Sequence, residues 1–304
     1  MFDKVLIANR GEIAVRINRA CQELGISTVA IHSEADADSM HVRIADESVC
    51  IGPNPVNKSY LNAHAIISAC EITGAQAVHP GYGFLSENAS FAKMLDDHKL
   101  TFIGPKHKHI SMMGDKIEAK KIMQEYGVPT VPGSKGAVAD LKDALKTSKD
   151  IGFPVLLKAS AGGGGRGMKV VNDEKELTDA LPIIKQEALS FFGNDSIYIE
   201  KFIDSPRHIE IQVICDSHNN FLHLHERDCS IQRRNQKVIE EALAPEIDQA
   251  KKEKLFKICI DAMAKMGYLG LGTLEFLFAD NEFYFMEMNT RLQVEHPITE
   301  MLTR

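Results

Sequence analysis

The chain has 304 residues, of which 44% are hydrophobic, a length and composition typical of about two domains with a substantial buried core. Asp and Glu number 42 against 35 Lys and Arg, and the resulting net charge of −7 excludes general binding of nucleic acid through surplus basic residues. No apolar run approaches the roughly 18 uncharged residues of a membrane-spanning helix, so we expect no association with a membrane.

The six cysteines are scattered along the chain, and no two of them form a C-x-x-C pair. The first residues run directly into an apolar segment at Val5, which leaves no room for a signal or transit segment. We therefore expect a cytoplasmic protein whose cysteines are reduced and lie in the core.

Short β-branched segments alternate with helical patterns over the first hundred residues. The predicted strands are 5–8, 28–31, 47–51, 75–79 and 100–103. The predicted helices are 63–73, 86–97 and an earlier one marked by the apolar spacing of Ile13, Ile17, Cys21 and Leu24. This alternation predicts an α/β domain with a doubly wound parallel sheet that ends near Pro105.

A second unit follows a helix predicted over 115–126 and a boundary marked by Pro129 and Pro132. Strands 154–158, 168–171 and 197–201 and a helix over 173–186 predict a small, mixed α+β unit that resembles a lid. Further on, the pattern predicts strands 208–215 and 221–226, a loop, a helix over 248–266 and a hairpin of strands 272–278 and 283–289.

The strongest local motif is a run of glycines after Lys158, over positions 162–167. Glycines expose backbone N–H groups that can surround phosphate oxygens without obstruction by side chains. The motif is not a Walker A loop, because Lys158 precedes the glycines on a strand and another strand follows them. It predicts a flap that closes over a nucleotide, and the alternative is a mobile linker.

The predicted hairpin carries a candidate metal site. With a three-residue turn at 280–282, Glu275 lies opposite Glu287, and Asn289 shares the face of Glu287. Two carboxylates and an amide oxygen suit Mg²⁺ bound together with nucleotide phosphates. The alternative is that both acids point to solvent from an edge hairpin.

Two further polar segments are candidate functional segments. Arg291 can bind a small planar anion and Glu295 can take up a proton, unless segment 291–297 is a surface patch of salt bridges. The stretch 226–237 carries four cations in an acidic protein, and it is either a solvated loop or an anion pocket.

Together these motifs resemble those of the biotin carboxylases, the ATP-grasp enzymes of biotin-dependent carboxylases. The resemblance is carried by IANRGEIA at 7–14, HPGYGFLSEN at 79–88, MGDK at 113–116, the glycine run, ERDCS at 226–230 and EMNTR at 287–291. It implies a Rossmann-like N-terminal domain over 1–114 and an ATP-grasp domain over 115–304, with a lid at about 132–203. Members of the family continue past position 304, so the resemblance also implies that the C-terminal part, 204–304, is truncated.

The activity implied by the resemblance is ATP-dependent carboxylation of biotin. Bicarbonate is activated by the γ-phosphate of ATP as carboxyphosphate, and the carboxylate passes to biotin on a biotin carboxyl carrier protein. The resemblance also implies Mg²⁺, with Mn²⁺ as a substitute, carboxyltransferase subunits as partners and a homodimer at full length. We expect a subunit of acetyl-CoA carboxylase, which serves fatty acid synthesis. The alternatives are a propionyl-CoA, methylcrotonyl-CoA or pyruvate carboxylase, or an inactive ATP-binding fragment.

Site residues are carried over from the family where its motifs align with this sequence. The residues implied for ATP binding are Lys116, Lys158, Gly162, Gly163, Gly164, Gly165, Arg166, Gly167, Met168, Glu200, Lys201, Phe202, Ile203, His208, Gln232, Asn235, Glu275 and Glu287. The implied metal ligands are Glu275, Glu287 and Asn289, and the implied bicarbonate pocket comprises Lys237, Arg291, Gln293 and Val294. Glu295 is implied as the base that deprotonates bicarbonate, and Arg291 as the group that stabilises the biotin enolate.

Two substitutions depart from the family pattern. Ala161 replaces the first glycine of the flap, and Asn235 replaces a histidine, for which we expect weaker ATP binding. Two rival families fit less well. A nicotinamide dehydrogenase needs G-x-G-x-x-G after the first strand, whereas segment 9–13 holds one glycine. A carbamoyl phosphate synthetase or another ATP-grasp ligase does not account for segments 79–88 and 291–297.

Overall fold

The structure is a computed structural model of the chain and describes residues 1–160, 167–234 and 236–303. Ala161, the flap residues Gly162, Gly163, Gly164, Gly165 and Arg166, and also Asn235, lie outside the described residues. The described strands form three sheets, two of five strands and one of three.

The first sheet is parallel throughout and has the order β3-β2-β1-β4-β5. Its strands are β1 (Lys4–Ile7), β2 (Ser27–Ser33), β3 (Glu47–Gly52), β4 (Ala77–His79) and β5 (Thr101–Phe102). The helices that connect or follow them are α1 (Gly11–Glu23), α2 (Met40–Ile44), α3 (Ala63–Thr73), α4 (Ala89–Asp97) and α5 (His107–Gly114). The order reverses between β1 and β4, which confirms the predicted doubly wound sheet.

Both faces of this sheet are buried, as its all-parallel strands require. Alternate residues of β1 belong to different cores: Leu6 packs in one apolar cluster and Val5 and Ile7 in another. Helix α1 buries Ile13, Ile17 and Cys21 as predicted. Leu24 is instead the C-terminal cap of α1 and is exposed.

The small unit contains β6 (Val155–Ala159), β7 (Met168–Val171) and β8 (Ile197–Lys201), with α7 (Leu141–Ile151) and α8 (Glu174–Phe192). Its sheet has the order β7-β6-β8 and is antiparallel throughout, in agreement with the expected small α+β unit. Helix α8 extends past the predicted end at 186 because Leu177, Ile184 and Ala188 continue the buried face. Helix α7 was not predicted, although Asp140 caps its start.

The third sheet is the largest and is antiparallel, in the order β11-β10-β9-β12-β13. Its strands are β9 (Arg207–Cys215), β10 (Phe221–Arg233), β11 (Gln236–Ala242), β12 (Gly270–Ala279) and β13 (Glu282–Asn289). One face packs against α5, α6 (Lys116–Glu125) and α9 (Gln249–Met266) in a continuous apolar core. A final helix, α10 (His296–Leu302), contacts β10 and β11.

The basic stretch 226–237 is not a loop. Strand β10 runs to Arg233, and β11 resumes at Gln236 and pairs with it, so most of this stretch lies within two strands. The expected loop after 226 is therefore wrong. The pairing of β10 with β11 shifts register between Asp228 and Ile231, and Ser230 and Gln232 of β10 line a cleft.

The hairpin of β12 and β13 turns at Asp280 and Asn281, both with positive φ, as in a two-residue type I′ turn. The predicted three-residue turn is wrong, but Glu275 does pair with Glu287. A bulge explains the agreement: Phe276 pairs with Phe285, so Met286 is the extra residue that restores the predicted opposition.

Five of the six cysteines are buried and Cys50 is exposed, and all six are free thiols. Within the described residues, no helix is both long and apolar enough to span a bilayer.

Candidate functional site

A cleft of about 730 Å³ lies over the polar face of the large sheet and is bordered by the small unit. The predicted residues that line it are Lys116, Lys158, Met168, His208, Gln232, Lys237, Glu275, Glu287, Asn289, Arg291, Gln293, Val294 and Glu295. They come from β6, β7, β9 to β13 and α6 and from the segment before α10, so the fold brings together positions that are far apart in the chain.

Four consecutive predicted residues, 200–203, are not among the described residues that line this cleft. The Glu200 carboxylate accepts from Lys158 and Lys120. The Lys201 ammonium donates to the backbone carbonyls of Gly152 and Phe153. Phe202 and Ile203 are half-buried.

The glycine loop is closed at its base by a backbone contact. The Ala159 N–H donates to the Gly167 carbonyl at 2.8 Å. Gly167 has φ +70°, and a Cβ there would lie 2.9 Å from the Ala159 Cβ, so this position requires glycine. Met168 follows at the start of β7 and is exposed.

Strand β9 supplies a row of buried polar side chains to the cleft face. His208, Glu210 and Gln212 alternate with Ile209 and Ile211, which enter the apolar core. A fully buried carboxylate such as that of Glu210 is costly unless charged partners surround it.

Lys237 is the cation at the centre of the cleft. Its ammonium donates to Glu210, to Glu275 at 3.1 Å and to Glu295 at 2.6 Å. Burial opposes its charge, but the three carboxylates outweigh burial and raise the pKa of Lys237. Burial likewise opposes ionisation of Glu295, and the Lys237 ammonium nevertheless holds the pKa of that carboxyl below its usual value. Glu295 is therefore held in its ionised form.

Arg227 lies beneath this cluster and is 1% exposed. Its guanidinium donates to Glu210 at 3.1 Å and to Gln293 at 2.7 Å. It also donates to Thr299 of α10 at 2.8 Å, which ties that helix to the sheet. Gln293 links Arg227 to Glu275, since its amide N–H donates to the Glu275 carboxylate at 2.8 Å.

His208 lies between two carboxylates. Its Nε2 is 3.1 Å from Glu210 and 3.2 Å from Glu275. Burial favours the neutral ring, but the hydrogen bonds to both acids prevail and raise the pKa of His208 to about 9. The imidazolium therefore adds a positive charge to the cleft at neutral pH.

Glu275, Glu287 and Asn289 supply the oxygen donors that Mg²⁺ prefers, and all three line the cleft. Glu275 pairs with Glu287 across the hairpin, and Asn289 donates to Glu275 at 2.7 Å. The Glu287 carboxylate lies 2.9 Å from the Lys116 ammonium. The donor set fits a hard divalent cation, whose positive charge would add to that of the Lys116 ammonium.

A further group of possible ligands is His208, Glu210 and Glu275, whose ligand atoms lie within 4.8 Å of one another. Lys237 already bridges both of these carboxylates, and His208 is hydrogen-bonded to them. The group is therefore satisfied as an ion-pair network.

Arg291 is held by a residue from the first sheet's domain. Its Nε donates to Glu87 at 2.7 Å, and another N–H donates to the side-chain oxygen Oδ1 of Asn289 at 2.8 Å. The Thr290 N–H also donates to Glu87, at 3.1 Å. Gln232, at the opposite rim, donates to the Cys229 carbonyl, and Val294 is 63% exposed at the mouth of the cleft.

Glu210, Arg227 and Glu87 belong to the site but are absent from the predicted residues. The alternation of polar and apolar residues over 208–213 was a signal for Glu210. Arg227 lay in the stretch that the sequence left undecided between loop and pocket. Glu87 gave no signal of its own, because its contact with Arg291 joins positions 204 residues apart.

Comparison with known proteins gives two family matches. Residues 1–110 match the family model described as the biotin carboxylase N-terminal domain. Residues 115–304 match the model described as the ATP-binding domain of the carbamoyl-phosphate synthase L chain.

Individual relatives resemble the whole chain. The biotin carboxylase of Pseudomonas aeruginosa is 56% identical over 304 residues, which is 100% of this chain and 68% of that protein. The propionyl-CoA carboxylase alpha chain of Ruegeria pomeroyi is 53% identical over 100% of this chain and 45% of its own length. The solved dimer of the biotin carboxylase domain of Hydrogenobacter thermophilus 2-oxoglutarate carboxylase, in complex with MgADP, ADP and bicarbonate, superposes with a TM-score of 0.93. It is 50% identical, and the match covers 100% of this chain and 67% of that one.

Proposed function

The chain belongs to the biotin carboxylase family of ATP-dependent ligases, and from that premise we propose that it carboxylates biotin on a carrier protein at the expense of ATP and bicarbonate. The single observation that carries the proposal is the Lys237–Glu295 pair, 2.6 Å apart in the cleft that Arg291 also lines. A lysine that keeps a buried carboxylate ionised next to an anion-binding arginine suits deprotonation of a small acid such as bicarbonate.

In the proposed reaction, Arg291, Gln293, Val294 and Lys237 bind bicarbonate, and the Glu295 carboxylate takes its proton. The resulting bicarbonate oxygen forms a bond to the γ-phosphorus while the bond from that phosphorus to the leaving oxygen of ADP breaks, which gives carboxyphosphate. Lys116, Lys158 and His208 are the cations that compensate phosphate charge, because phosphoryl transfer depends on positioning and neutralisation.

Carboxyphosphate then transfers its carboxyl group to biotin: the bond from the carboxyl carbon to the phosphate oxygen breaks, the bond from that carbon to N1 of biotin forms, and the released phosphate takes the N1 proton. Arg291 is also proposed to stabilise the negative oxygen of the biotin enolate, and its position in the lining of the cleft supports this role.

We assign Glu275, Glu287 and Asn289 as the residues that would hold Mg²⁺, with Mn²⁺ as a substitute. A bound divalent cation would neutralise phosphate charge. Backbone groups of Glu200, Lys201, Phe202 and Ile203 are assigned to the adenine ring, and the small unit, over about 132–203, is assigned as the lid. We also assign nucleotide contacts to Gln232, to residues 162–166 and to Asn235. Of these, residues 162–166 and Asn235 lie outside the described residues.

The complex that the chain serves is proposed to be an acetyl-CoA carboxylase in the cytoplasm, with a carboxyltransferase as the next enzyme. The higher identity to the biotin carboxylase of Pseudomonas aeruginosa than to the propionyl-CoA carboxylase chain supports this assignment. The difference is three percentage points, so propionyl-CoA, methylcrotonyl-CoA and pyruvate carboxylases remain the alternatives. The dimer of the 2-oxoglutarate carboxylase domain supports a homodimer.

The test of the activity is bicarbonate-dependent ADP release from MgATP, with and without free biotin. Biotin-stimulated release is expected, and Glu295→Gln is expected to lower it by about 10²- to 10⁴-fold because the base is lost. Glu300→Gln is the matched control, since Glu300 lies on α10 and pairs with Arg16 and His296 away from the cleft.

Two outcomes would contradict the proposal. Equal rates for wild type and Glu295→Gln would remove Glu295 as the base. ATP binding without biotin-stimulated release would favour the alternative of an inactive ATP-binding chain. Supplying carrier domains from different carboxylases as substrates then decides which complex the chain serves.

A further inference from the structure

Lys158 does not point freely into the cleft. Its ammonium lies 2.5 Å from the Glu200 carboxylate, whose other oxygen lies 2.9 Å from the ammonium of Lys120. The three side chains are 15%, 7% and 16% exposed in the order Lys158, Glu200, Lys120, so the cluster is largely shielded from water. One buried carboxylate is thus shared by two lysines.

The two lysines differ in position. Lys158 lies on β6 of the small unit and lines the cleft, whereas Lys120 lies on α6 and is not among the described residues that line it. Glu200 lies on β8, paired with Leu156 of β6. Lys120 therefore reaches the small unit from outside and contacts Lys158 only through Glu200.

A phosphate that recruits Lys158 must draw it away from Glu200. A buried carboxylate that loses its sole cation is strongly destabilised, because a single charge in the interior is not compensated. With Lys120 in place, Glu200 keeps one cation after Lys158 leaves. Burial opposes ionisation of Glu200, but the two lysines together hold the pKa of its carboxyl below the usual value, so the negative charge persists.

We propose that Lys120 is a positioning residue that retains the charge balance of Glu200 and thereby frees Lys158 to bind nucleotide phosphate. The inference rests on the proposed function in one respect, the assignment of Lys158 to phosphate. The proposed role extends the site to Lys120, which does not touch the nucleotide. It also assigns the Glu200 side chain a role distinct from the adenine contacts.

The test measures the affinity of the full chain for ADP with Mg²⁺ and for adenosine, by calorimetry. Lys120→Gln is expected to weaken ADP binding by about tenfold or more, because Glu200 then holds Lys158 as its one cation. Adenosine has no phosphate, so its affinity is expected to stay within about twofold. A general distortion of the small unit would weaken both ligands and would overturn the proposal.

Second-site suppression gives the sharper result. Adding Glu200→Gln to Lys120→Gln removes the carboxylate that captures Lys158, and ADP affinity is expected to return to within about threefold of wild type. Lys120→Arg keeps the charge and is expected to bind ADP as wild type does. Lys120→Arg keeps Glu200 paired with two cations, and the double variant removes the buried carboxylate itself and leaves only Lys158, which lines the cleft, without that partner, so the two variants decide the question even if Lys120→Gln folds poorly.

Lys149→Gln is the matched control, because Lys149 pairs with Glu174 on the exposed surface of the small unit. Unchanged ADP affinity in Lys120→Gln, or a double variant as weak as the single one, overturns the proposal. Lys158→Gln separates the two levels of inference. If that variant binds ADP as tightly as wild type, the phosphate assignment of Lys158 fails, whatever Lys120 does.

Discussion

At the scale of single residues, Arg227 has the largest expected effect on stability. Its buried guanidinium compensates Glu210, so Arg227→Met is expected to lower the free energy of unfolding by about 3–5 kcal/mol. Urea denaturation measures the change. Arg16→Met is the control, since Arg16 pairs with Glu300 at an exposed site and its loss is expected to cost less than about 1 kcal/mol. Similar losses for both variants would contradict the role of burial.

A second prediction at the scale of single residues concerns His208 and the pH dependence of stability. The pKa of His208 is about 9 in the folded chain against 6.5 in the unfolded chain, so its contribution to stability is full below about pH 6.5. The contribution is lost as the pH rises through 9, because only the imidazolium attracts Glu210 and Glu275. Urea midpoints at about pH 6 and about pH 9 are expected to differ less in His208→Gln than in wild type. An equal pH dependence would show that His208 is neutral in the folded chain.

Predictability at this scale depended on whether a residue's partners were near in sequence. Glu275, Glu287 and Asn289 were predicted together because one hairpin holds them. Arg227 and Glu210 were missed as a pair because they meet only when β9 and β10 align, 17 residues apart. The burial of a charge cannot be read from the identity of the residue that carries it.

At the scale of elements, the turn of the β12–β13 hairpin sets the placement of the candidate metal ligands. Asn281 has φ +63°, which a β-branched residue adopts only with strain. Asn281→Val is expected to lower the free energy of unfolding by about 1–2 kcal/mol, as urea denaturation would measure. Asn281→Gly is the control, expected to lie within about 0.5 kcal/mol of wild type. A stable Val variant would mean that the turn relaxes.

The hairpin also shows the limits of pattern reading. Composition indicated the two strands and the turn, but a bulge at Met286 leaves no mark in an alternating pattern, and the correct opposition of Glu275 and Glu287 came from an incorrect turn length. Strand β10 was cut short at 226 for a related reason. Its polar residues read as a loop, although they are paired and face a cleft inside the fold.

At the scale of the whole molecule, the proposed nucleotide site joins separate parts of the chain. Lys116 lies on α6, Lys158 on the small unit and Glu287 on the large sheet, and all three line one cleft. ADP with Mg²⁺ is therefore expected to stabilise the entire chain, by about 2.7 kcal/mol at about 100 times its dissociation constant. Glu287→Gln is expected to abolish the additional rise in melting temperature due to Mg²⁺ while retaining that due to ADP.

Glu282→Gln serves as the control for that experiment, because Glu282 is an exposed acid on the same strand. An undiminished Mg²⁺ effect in Glu287→Gln would remove Glu287 from the metal site.

The overall architecture was the most predictable level, since the spacing and apolar content of the strands indicated each sheet. The antiparallel pairing of the small unit was not predicted, because strand direction depends on contacts between segments rather than on their composition.

The contact between Glu87 and Arg291 bears on how such chains can evolve. The arginine that we assign to bicarbonate and biotin takes its orientation from an acid in the N-terminal domain, 204 residues earlier. Genetic recombination that replaced the first domain with that of a distant family member would preserve both folds but would leave Arg291 unsupported unless the incoming segment also carried that acid. The two domains are therefore expected to be inherited as one unit, and chimeras that join them from different parents provide a direct trial of that constraint.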